Sequence, residues 1–135
     1  MIYDIAIIGL GPAGSTLARL LNGEFKTIAI DKKTFGSDGF QKPCGGLLSS
    51  DAQKALAGFD MTLPKDVMVD PQIFAVKTID LKNNLIRHYQ RFYLNLDRQK
   101  FDLWLESIIP EDVELHCDSR CTRIERTQEG FKITF

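Results

Sequence analysis

The sequence predicts an α/β fold in which a parallel βαβ core is followed by an inserted antiparallel layer. Residues 2–8 and 26–31 are short, apolar and β-branched, which is typical of parallel strands buried on both faces. Residues 12–21 between them have helical periodicity. After Asp31 the alternation of strands and helices stops, and extended segments around Asn83-Asn84 predict an antiparallel hairpin instead.

The first helix is predicted from Pro12 to Leu21, because proline is favoured at the first helical position and Asn22-Gly23 is a stop signal. Leu17, Leu20 and Leu21 lie on one side of it. Together with the two strands it forms a βαβ unit, which requires a parallel pairing and a right-handed crossover.

The middle of the chain predicts turns, a short helix and a hairpin. Residues 32–46 have turn composition throughout. Ser50 and Gln53 have the spacing of a capping box, which predicts a helix over 51–57 closed by Gly58. The extended segments of the antiparallel layer are residues 67–69, 73–81 and 85–94.

The last third predicts a helix, a parallel strand and a second hairpin. The helix runs over 97–109 with a buried stripe of Phe101, Trp104, Leu105 and Ile108, and Pro110 ends it. "VELHC" is predicted as a parallel strand, and residues 121–127 with 131–135 as a hairpin. Because the chain stops on a strand, we expect an N-terminal part of a longer protein, inactive by itself.

Composition narrows the class of protein. The 135 residues fit one domain (1–135) with residues 67–95 as an antiparallel insertion. A net charge of −1 argues against nucleic acid or an anionic membrane as partner. The apolar runs are too short for a transmembrane segment, and the three cysteines suit a reducing compartment, so a cytoplasmic location is expected. An open sheet edge makes a homo-oligomer an expectation as well.

The stretch Gly9-Leu10-Gly11-Pro12-Ala13-Gly14 matches G-x-G-x-x-G directly after a strand and before a helix. Gly9 permits the tight turn, Gly11 the approach of a pyrophosphate, and Gly14 close packing of helix on strand. The helix N-terminus favours phosphate. Asp31, at the end of the second strand, is placed to accept hydrogen bonds from ribose hydroxyls. Its negative charge would repel a 2′-phosphate on that ribose. FAD and NAD both fit, and the break after Asp31 favours FAD.

Three stretches together, "DIAIIGLGPAGSTLARLL", "KPCGGLLS" and "LDRQKFDLWL", make the chain resemble the geranylgeranyl reductase family of FAD-dependent oxidoreductases. That family shares the fold of p-hydroxybenzoate hydroxylase. The resemblance covers essentially the whole chain, as the N-terminal third of such a protein. The Cys-Gly-Gly combined with the Asp-Arg-x-x-Phe-Asp helix is its most specific part.

The resemblance implies a set of cofactor-binding residues. The glycine motif with Pro12 and Ala13 would hold the FAD pyrophosphate, Asp31 would lie at the adenosine ribose, and Lys32 would be a further cofactor-binding residue. Arg98 would reach the cofactor from its helix start. The remaining members are Cys44, Gly45 and Gly46 against the flavin ring and Cys121 near adenine.

The resemblance also implies an activity: reduced flavin would deliver hydride to an isoprenoid or related lipid double bond. NAD(P)H or a ferredoxin would supply the electrons. Cys44 is the candidate catalytic residue, as a proton donor, beside the alternatives of a steric wall or a small residue tolerated at the ring. A flavin-dependent monooxygenase of the same fold and a non-catalytic dinucleotide-binding module are the alternative functions.

Other candidates are weaker. His116, Cys117 and Cys121 lack the spacing of a zinc site, and packing roles are predicted for them. His88 is predicted at the surface or at a strand edge. The aromatic residues Tyr89, Phe92 and Tyr93 fit either a substrate surface or a packed sheet face. Asp97 is predicted as a helix cap and Asp102 as part of a solvated helix face.

Overall fold

The computed structural model describes residues 1–21, 23–34 and 44–135. The elements run in the order β1 (Ile5–Ile8), α1 (Pro12–Leu21), β2 (Thr27–Ile30), β3 (Leu47–Leu48), α2 (Ser50–Gly58), β4 (Ile73–Asp80), β5 (Leu85–Asn95), α3 (Arg98–Ser107), β6 (Glu114–His116), β7 (Arg123–Arg126) and β8 (Phe131–Thr134). They divide into a first unit of Met1–Gln41 with Asp102–Phe135, and a second unit of Lys42–Phe101.

The first unit contains the predicted βαβ core. Strands β1, β2 and β6 form a parallel sheet in the order β1-β2-β6, with Ala29 of β2 opposite Ile7 on one side and Leu115 on the other. Ile7, Leu10, Ala18, Ala29 and Val113 form its buried apolar cluster. The predicted fold class, a Rossmann-like βαβ core with an antiparallel layer inserted into it, is therefore confirmed.

Strand β2 is buried at every position, whereas β1 is not, which corrects the prediction that both strands are covered on both faces. Ile7 is buried but Ile8 is 46% exposed. The reason is topological, because β2 lies between two neighbours while β1 forms one edge of the sheet within the described residues.

Helix α1 spans the predicted residues but turns a different side to the sheet. Ser15 and Ala18 are its buried residues. Leu17 and Leu20 are about half exposed, and only Leu21 of the predicted leucine side packs against the core cluster. Small side chains at positions 15 and 18 allow the helix to lie close to the strands.

The second unit is built around the predicted hairpin. Strands β4 and β5 pair antiparallel with Ile79 opposite Ile86, and β3 pairs with the far end of β5. Asn84 adopts a positive φ in the turn, and Asp80 accepts hydrogen bonds from the backbone N–H groups of Lys82 and Asn83. The turn prediction is confirmed. His88 is exposed on β5, as predicted.

Two predicted details of the second unit are wrong. Ser49, not Ser50, caps α2, because its hydroxyl oxygen accepts a hydrogen bond from the backbone N–H of Ala52. Gln53 does not take part in the cap, because its side-chain amide donates to backbone carbonyls outside the helix. The extended segment predicted for residues 67–69 is wrong at Val67 and is confirmed at Met68, whose backbone is extended. A 3-10 turn occupies Lys65–Val67 and is followed by an isolated bridge between Met68 and Leu96.

Helix α3 begins as predicted, with Asp97 as its cap: Oδ1 accepts the N–H groups of Gln99 and Lys100. Phe101 and Leu105 are buried, whereas Trp104 is only half-buried. The predicted parallel strand is β6, and β7 and β8 form the predicted second hairpin. Among the helices of the described ranges, none is long and apolar enough to cross a bilayer.

Gly46 predicts a sharp sensitivity of the second unit. It has φ +65°, and an added Cβ would overlap the carbonyl oxygen of Leu96, whose N–H donates to Gly46 O at 2.8 Å. Gly46→Ala is therefore expected to lower the free energy of unfolding by at least about 2 kcal/mol. Denaturant unfolding of the protein without added cofactor measures this.

The matched control is Gly45→Ala. A Cβ at Gly45 meets no atom of the described residues within 4 Å, and its φ lies outside the left-handed range. We expect a change within about 0.5 kcal/mol for this variant. Equal losses in both variants would contradict the assignment of Gly46 to close backbone packing.

Candidate dinucleotide-binding site

The glycine loop between β1 and α1 is a tight turn held by backbone contacts. Gly9 has φ +96°, which an L side chain rarely adopts, and its N–H donates to Ile30 O at 2.8 Å. A Cβ on Gly14 would overlap the carbonyl oxygen of Gly9. Gly14 therefore lets the first turn of α1 lie against the end of β1, as the motif predicts.

Leu10, the residue between Gly9 and Gly11, is held at both of its peptide groups. Its N–H donates a hydrogen bond to Oδ2 of Asp31. Its carbonyl oxygen accepts hydrogen bonds from Nζ of Lys33 at 3.0 Å and from Oγ of Ser15 at 3.2 Å. Leu10 is fully buried, so these bonds form away from solvent and fix the course of the loop.

Asp31 has a second backbone partner. Its Oδ1 accepts the N–H of Lys33 at 2.8 Å, and the side chain is 6% exposed. A carboxylate offers about four acceptor positions, so two backbone donors leave room for hydroxyl donors. The predicted role at a ribose is chemically compatible with this arrangement, and the structure adds an architectural role for the same carboxylate.

A cluster of buried charges surrounds the Lys33 ammonium, which is 12% exposed in its side chain. Nζ lies 3.1 Å from Oε1 of Glu106, 3.8 Å from Oδ2 of Asp102 and 3.9 Å from Oδ2 of Asp31. Three carboxylates thus share one ammonium. Burial raises the pKa of the Glu106 carboxyl and the nearby Asp31 and Asp102 add to the rise, while the Lys33 ammonium opposes it.

The prediction that Asp102 belongs to a solvated helix face is wrong, since Asp102 is buried. The physical reason is Lys33, a long-range partner that compensates the charge. Sequence analysis also missed Lys33 and Glu106. A signal existed in the spacing: Asp102 and Glu106 are four residues apart and therefore on one face, directly beside the buried Phe101 and Leu105.

The segment after β6 also reaches the end of β2. Asp118, which has a positive φ, donates its N–H to Lys33 O at 2.8 Å, and the N–H of Ser119 donates to Asp31 O at 2.9 Å. Cys121 follows two residues later, and its Sγ lies 4.0 Å from Arg123 O. The segment containing Cys121 therefore begins beside Asp31. Its role near adenine stays a prediction, as does cofactor binding by the exposed Lys32.

The arrangement around the loop fits a dinucleotide. A Cβ on Gly9 meets nothing within 4 Å in the described residues, so this side of the turn has room for a ligand. Helix α1 has no acidic residue in its first turn, which leaves the partial positive charge of its N-terminus available to phosphate oxygens. Gly9, Gly11, Pro12, Ala13 and Gly14 are the residues that could hold a pyrophosphate.

The second unit contains the other predicted residues. Cys44 is exposed, and Nη1 of Arg98 at the start of α3 lies 3.9 Å from its Sγ. The Arg98 guanidinium is also 6.0 Å from the centre of the Phe101 ring. Gly46 has an internal reason to be glycine, the contact with Leu96, whereas Gly45 has none among the described residues. Lys42 and the rest of 35–43 lie outside the described residues.

His116 has partners close to it in the first unit. Its Nε2 lies 2.7 Å from Oε1 of Glu114, and Oε2 of the same carboxylate accepts a hydrogen bond from the Tyr3 hydroxyl. The His116 ring packs edge-on against Phe135 at 5.1 Å. Within the described part of the chain, no three His, Cys, Asp or Glu side chains are grouped to hold a metal ion.

Several solved flavoprotein structures share this fold. A geranylgeranyl bacteriochlorophyll reductase-like protein from Thermoplasma acidophilum aligns with a TM-score of 0.74 and 21% identity, over 93% of this chain and 32% of that chain. The flavin-dependent brominase Bmp2 aligns with a TM-score of 0.71 and 22% identity, over 97% of this chain and 32% of that chain. p-Nitrophenol 4-monooxygenase from Pseudomonas putida aligns with a TM-score of 0.62 and 14% identity, over 98% of this chain and 38% of that chain. The chain thus has the Rossmann-like fold of flavoproteins.

The sequence relatives are more similar but much longer. Protein CbrA of Escherichia coli K12 is 52% identical over 134 residues, which cover 98% of this chain and 38% of the relative. Protein CbrA of Shigella sonnei gives the same identity and coverage. The chain therefore spans less than half the length of the curated relatives it matches. No family model matches the sequence.

The charge cluster predicts an unusual pH dependence. A carboxyl whose folded pKa exceeds its unfolded value binds more protons when folded, so its contribution to stability falls as the pH rises above about 4.5. Glu106→Gln removes this cost and keeps an oxygen for Lys33. We expect the variant to be about 1 kcal/mol more stable at pH 7 and to lose the advantage below pH 4.5.

Denaturant unfolding from pH 4 to pH 8 measures the difference between wild type and variant. Glu129→Gln on the exposed turn of the second hairpin is the control and should show no such trend. A Glu106→Gln variant that is less stable than wild type at pH 7 would contradict the interpretation of an excess of buried negative charge.

The cysteines should differ in reactivity. Burial raises the pKa of the Cys117 thiol to about 11, with Glu106 and Asp31 contributing, whereas Cys44 is exposed. Because the thiolate is the nucleophile, iodoacetamide at pH 8 is expected to label Cys44 at least about tenfold faster than Cys117. Mass spectrometry of timed samples measures both rates. Denatured protein is the control, in which the rates should converge, and equal native rates would contradict the prediction.

Proposed function

We propose that the chain is the FAD-binding segment of a flavin-dependent oxidoreductase of the geranylgeranyl reductase type, which reduces isoprenoid or related lipid double bonds. The observation that carries the proposal is the glycine loop: Leu10 is fixed at both peptide groups directly before a helix N-terminus free of acidic residues. The flavoprotein fold makes FAD the dinucleotide of choice. As the chain covers about a third of the structural relatives, the activity belongs to a longer protein.

The first unit supplies the groups that bind the dinucleotide. The N–H groups of the glycine loop and of the first turn of α1 would receive the pyrophosphate, and Asp31 would accept ribose hydroxyls. The carboxylates of Asp102 and Glu106 are paired with the same Lys33 ammonium as Asp31, and they add negative charge near the ribose position. Repulsion by these carboxylates disfavours a 2′-phosphate and supports an unphosphorylated ribose. Cys121 is proposed near adenine, and Lys32 is proposed as a further cofactor-binding residue.

The second unit supplies the groups proposed for catalysis. Saturation of a carbon–carbon double bond takes one hydride and one proton, and bound reduced FAD supplies hydride chemistry. We assign the proton to Sγ of Cys44. The Arg98 guanidinium 3.9 Å away favours the thiolate that remains after the proton has left. Arg98 would also bind oxygens of the cofactor, and Gly45 and Gly46 would pass close to the flavin ring.

The alternative activity is a flavin-dependent monooxygenase. It is favoured by the likeness in fold to p-nitrophenol 4-monooxygenase. The proposal also includes a small-molecule or lipid substrate and NAD(P)H as the electron donor. It further includes a homo-oligomeric state and a cytoplasmic location. A non-catalytic dinucleotide-binding module would keep the groups of the first unit and would have no use for the Cys44–Arg98 pair.

The absorbance spectrum of the purified full-length protein tests the proposal. We expect bound flavin, and we expect Gly14→Ala to lose it, because the added Cβ would overlap Gly9 O and separate the loop from α1. Gly58→Ala at the end of α2, where a Cβ meets nothing within 4 Å, is the matched control and should retain flavin. A protein that neither carries flavin nor binds added FAD would overturn the proposal.

Product analysis then separates the two activities. With an isoprenoid lipid and a reductant, the reductase is expected to add two hydrogen atoms to a double bond. Incorporation of oxygen from labelled O₂ supports the monooxygenase instead. Bound flavin that yields neither product with NAD(P)H or ferredoxin as reductant supports the non-catalytic module.

A further inference from the structure

We propose that Lys33 is a positioning residue for the dinucleotide loop, acting through the carbonyl of Leu10. This inference rests on the proposed function, since it concerns the same loop. Its basis is a buried ammonium that lies between the loop and helix α3: Nζ donates to Leu10 O at 3.0 Å and to Oε1 of Glu106 at 3.1 Å. Lys33 is not among the residues that the glycine motif predicts.

Lys33 supplies the one charged donor among the described contacts of the central residue of the loop, Leu10. Leu10 separates Gly9 from Gly11, and glycine on either side leaves the chain free to rotate. The N–H of Leu10 is held by Asp31, and its carbonyl is held by Lys33 and Ser15. Removal of Lys33 leaves the neutral hydroxyl of Ser15 at 3.2 Å, whereas a charge-assisted bond is roughly twice as strong.

The ammonium is confined because its counterions are fixed. Asp31 lies at the end of β2, and Asp102 and Glu106 extend from α3. Moving Nζ away would leave buried carboxylates without their cation, which is strongly unfavourable. The position of Nζ is therefore set by the sheet and the helix. Lys33 transmits that position to Leu10 and so to the N–H groups that would face the pyrophosphate.

The same geometry explains why a neighbouring lysine cannot substitute. Lys32 is exposed, whereas Lys33 lies among the carboxylates, so the two residues of the Lys-Lys pair have opposite environments. Within the glycine loop, Lys33 contacts the carbonyl of Leu10. Its contribution to nucleotide binding is expected to come from preorganisation of the loop, without direct contact with the ligand.

The experiment measures the dissociation constant of FAD by flavin fluorescence quenching in full-length protein stripped of flavin. Lys33→Met is expected to bind FAD at least about tenfold more weakly than wild type. Lys54→Met is the matched control, because Lys54 is exposed on α2 and pairs only weakly with Asp51 at 3.8 Å. It should bind as wild type does.

A second variant separates positioning from folding. Lys33→Met leaves three buried carboxylates and is expected to lower the melting temperature. The double variant Lys33→Met with Glu106→Gln removes one of those charges and should recover part of the melting temperature. The positioning role predicts that its FAD affinity stays about tenfold weak despite the recovery. A purely structural role predicts that affinity and melting temperature recover together, and that result would overturn the inference.

The outcomes also distinguish this inference from the proposed function. Wild-type protein that binds no FAD overturns both. Wild-type protein that binds FAD while Lys33→Met binds it equally well overturns the role of Lys33 and leaves the flavoprotein assignment in place.

Discussion

The glycine loop of the first unit depends on hydrogen bonds between Leu10 and the residues that directly follow β2. Asp31 accepts the Leu10 N–H, and Lys33 donates to the Leu10 carbonyl, so one short segment fixes both peptide groups. The parallel pairing of β1 with β2 makes this possible, since it brings the carboxyl ends of both strands together. Helix α3 joins through Asp102 and Glu106, whose carboxylates keep the ammonium buried. The loop is consequently shaped by the protein before any ligand arrives.

The glycines show which constraints are internal and which point outward. Gly14 must be glycine because of the Gly9 carbonyl, and Gly46 because of the Leu96 carbonyl and its left-handed backbone. Gly45 differs: an added Cβ would meet no described atom, and its φ lies outside the left-handed range. A ligand close to the backbone is the reason that the proposed function offers for this glycine. Of the Cys-Gly-Gly stretch, Gly46 therefore has a packing reason to be glycine, whereas Gly45 has none among the described residues.

Local signals sufficed for most of the fold, and long-range partners explain the errors at β1 and at Asp102. The βαβ core, the hairpin turn at Asn84 and the Asp97 cap follow from periodicity and from residues a few positions apart. The burial of β1 could not be predicted in the same way, because the exposure of Ile8 depends on which strands pair with it. Asp102 was misplaced because its partner, Lys33, is far away in the sequence. In the candidate site, the glycine motif and Asp31 were predictable, whereas the charge cluster required the fold.

The two units carry different kinds of information about activity. The first unit contains a glycine loop, a strand-end carboxylate and a helix N-terminus, which any dinucleotide with an unphosphorylated ribose can use. Nothing in that set favours a reductase over a monooxygenase. The pair of Cys44 and Arg98 belongs to the second unit and combines a cysteine side chain with a guanidinium 3.9 Å away. A proton donor is useful when a double bond accepts hydride. Under the proposed function, the choice between the two reactions therefore depends on the second unit, and Cys44 is the residue at which they would make different chemical demands.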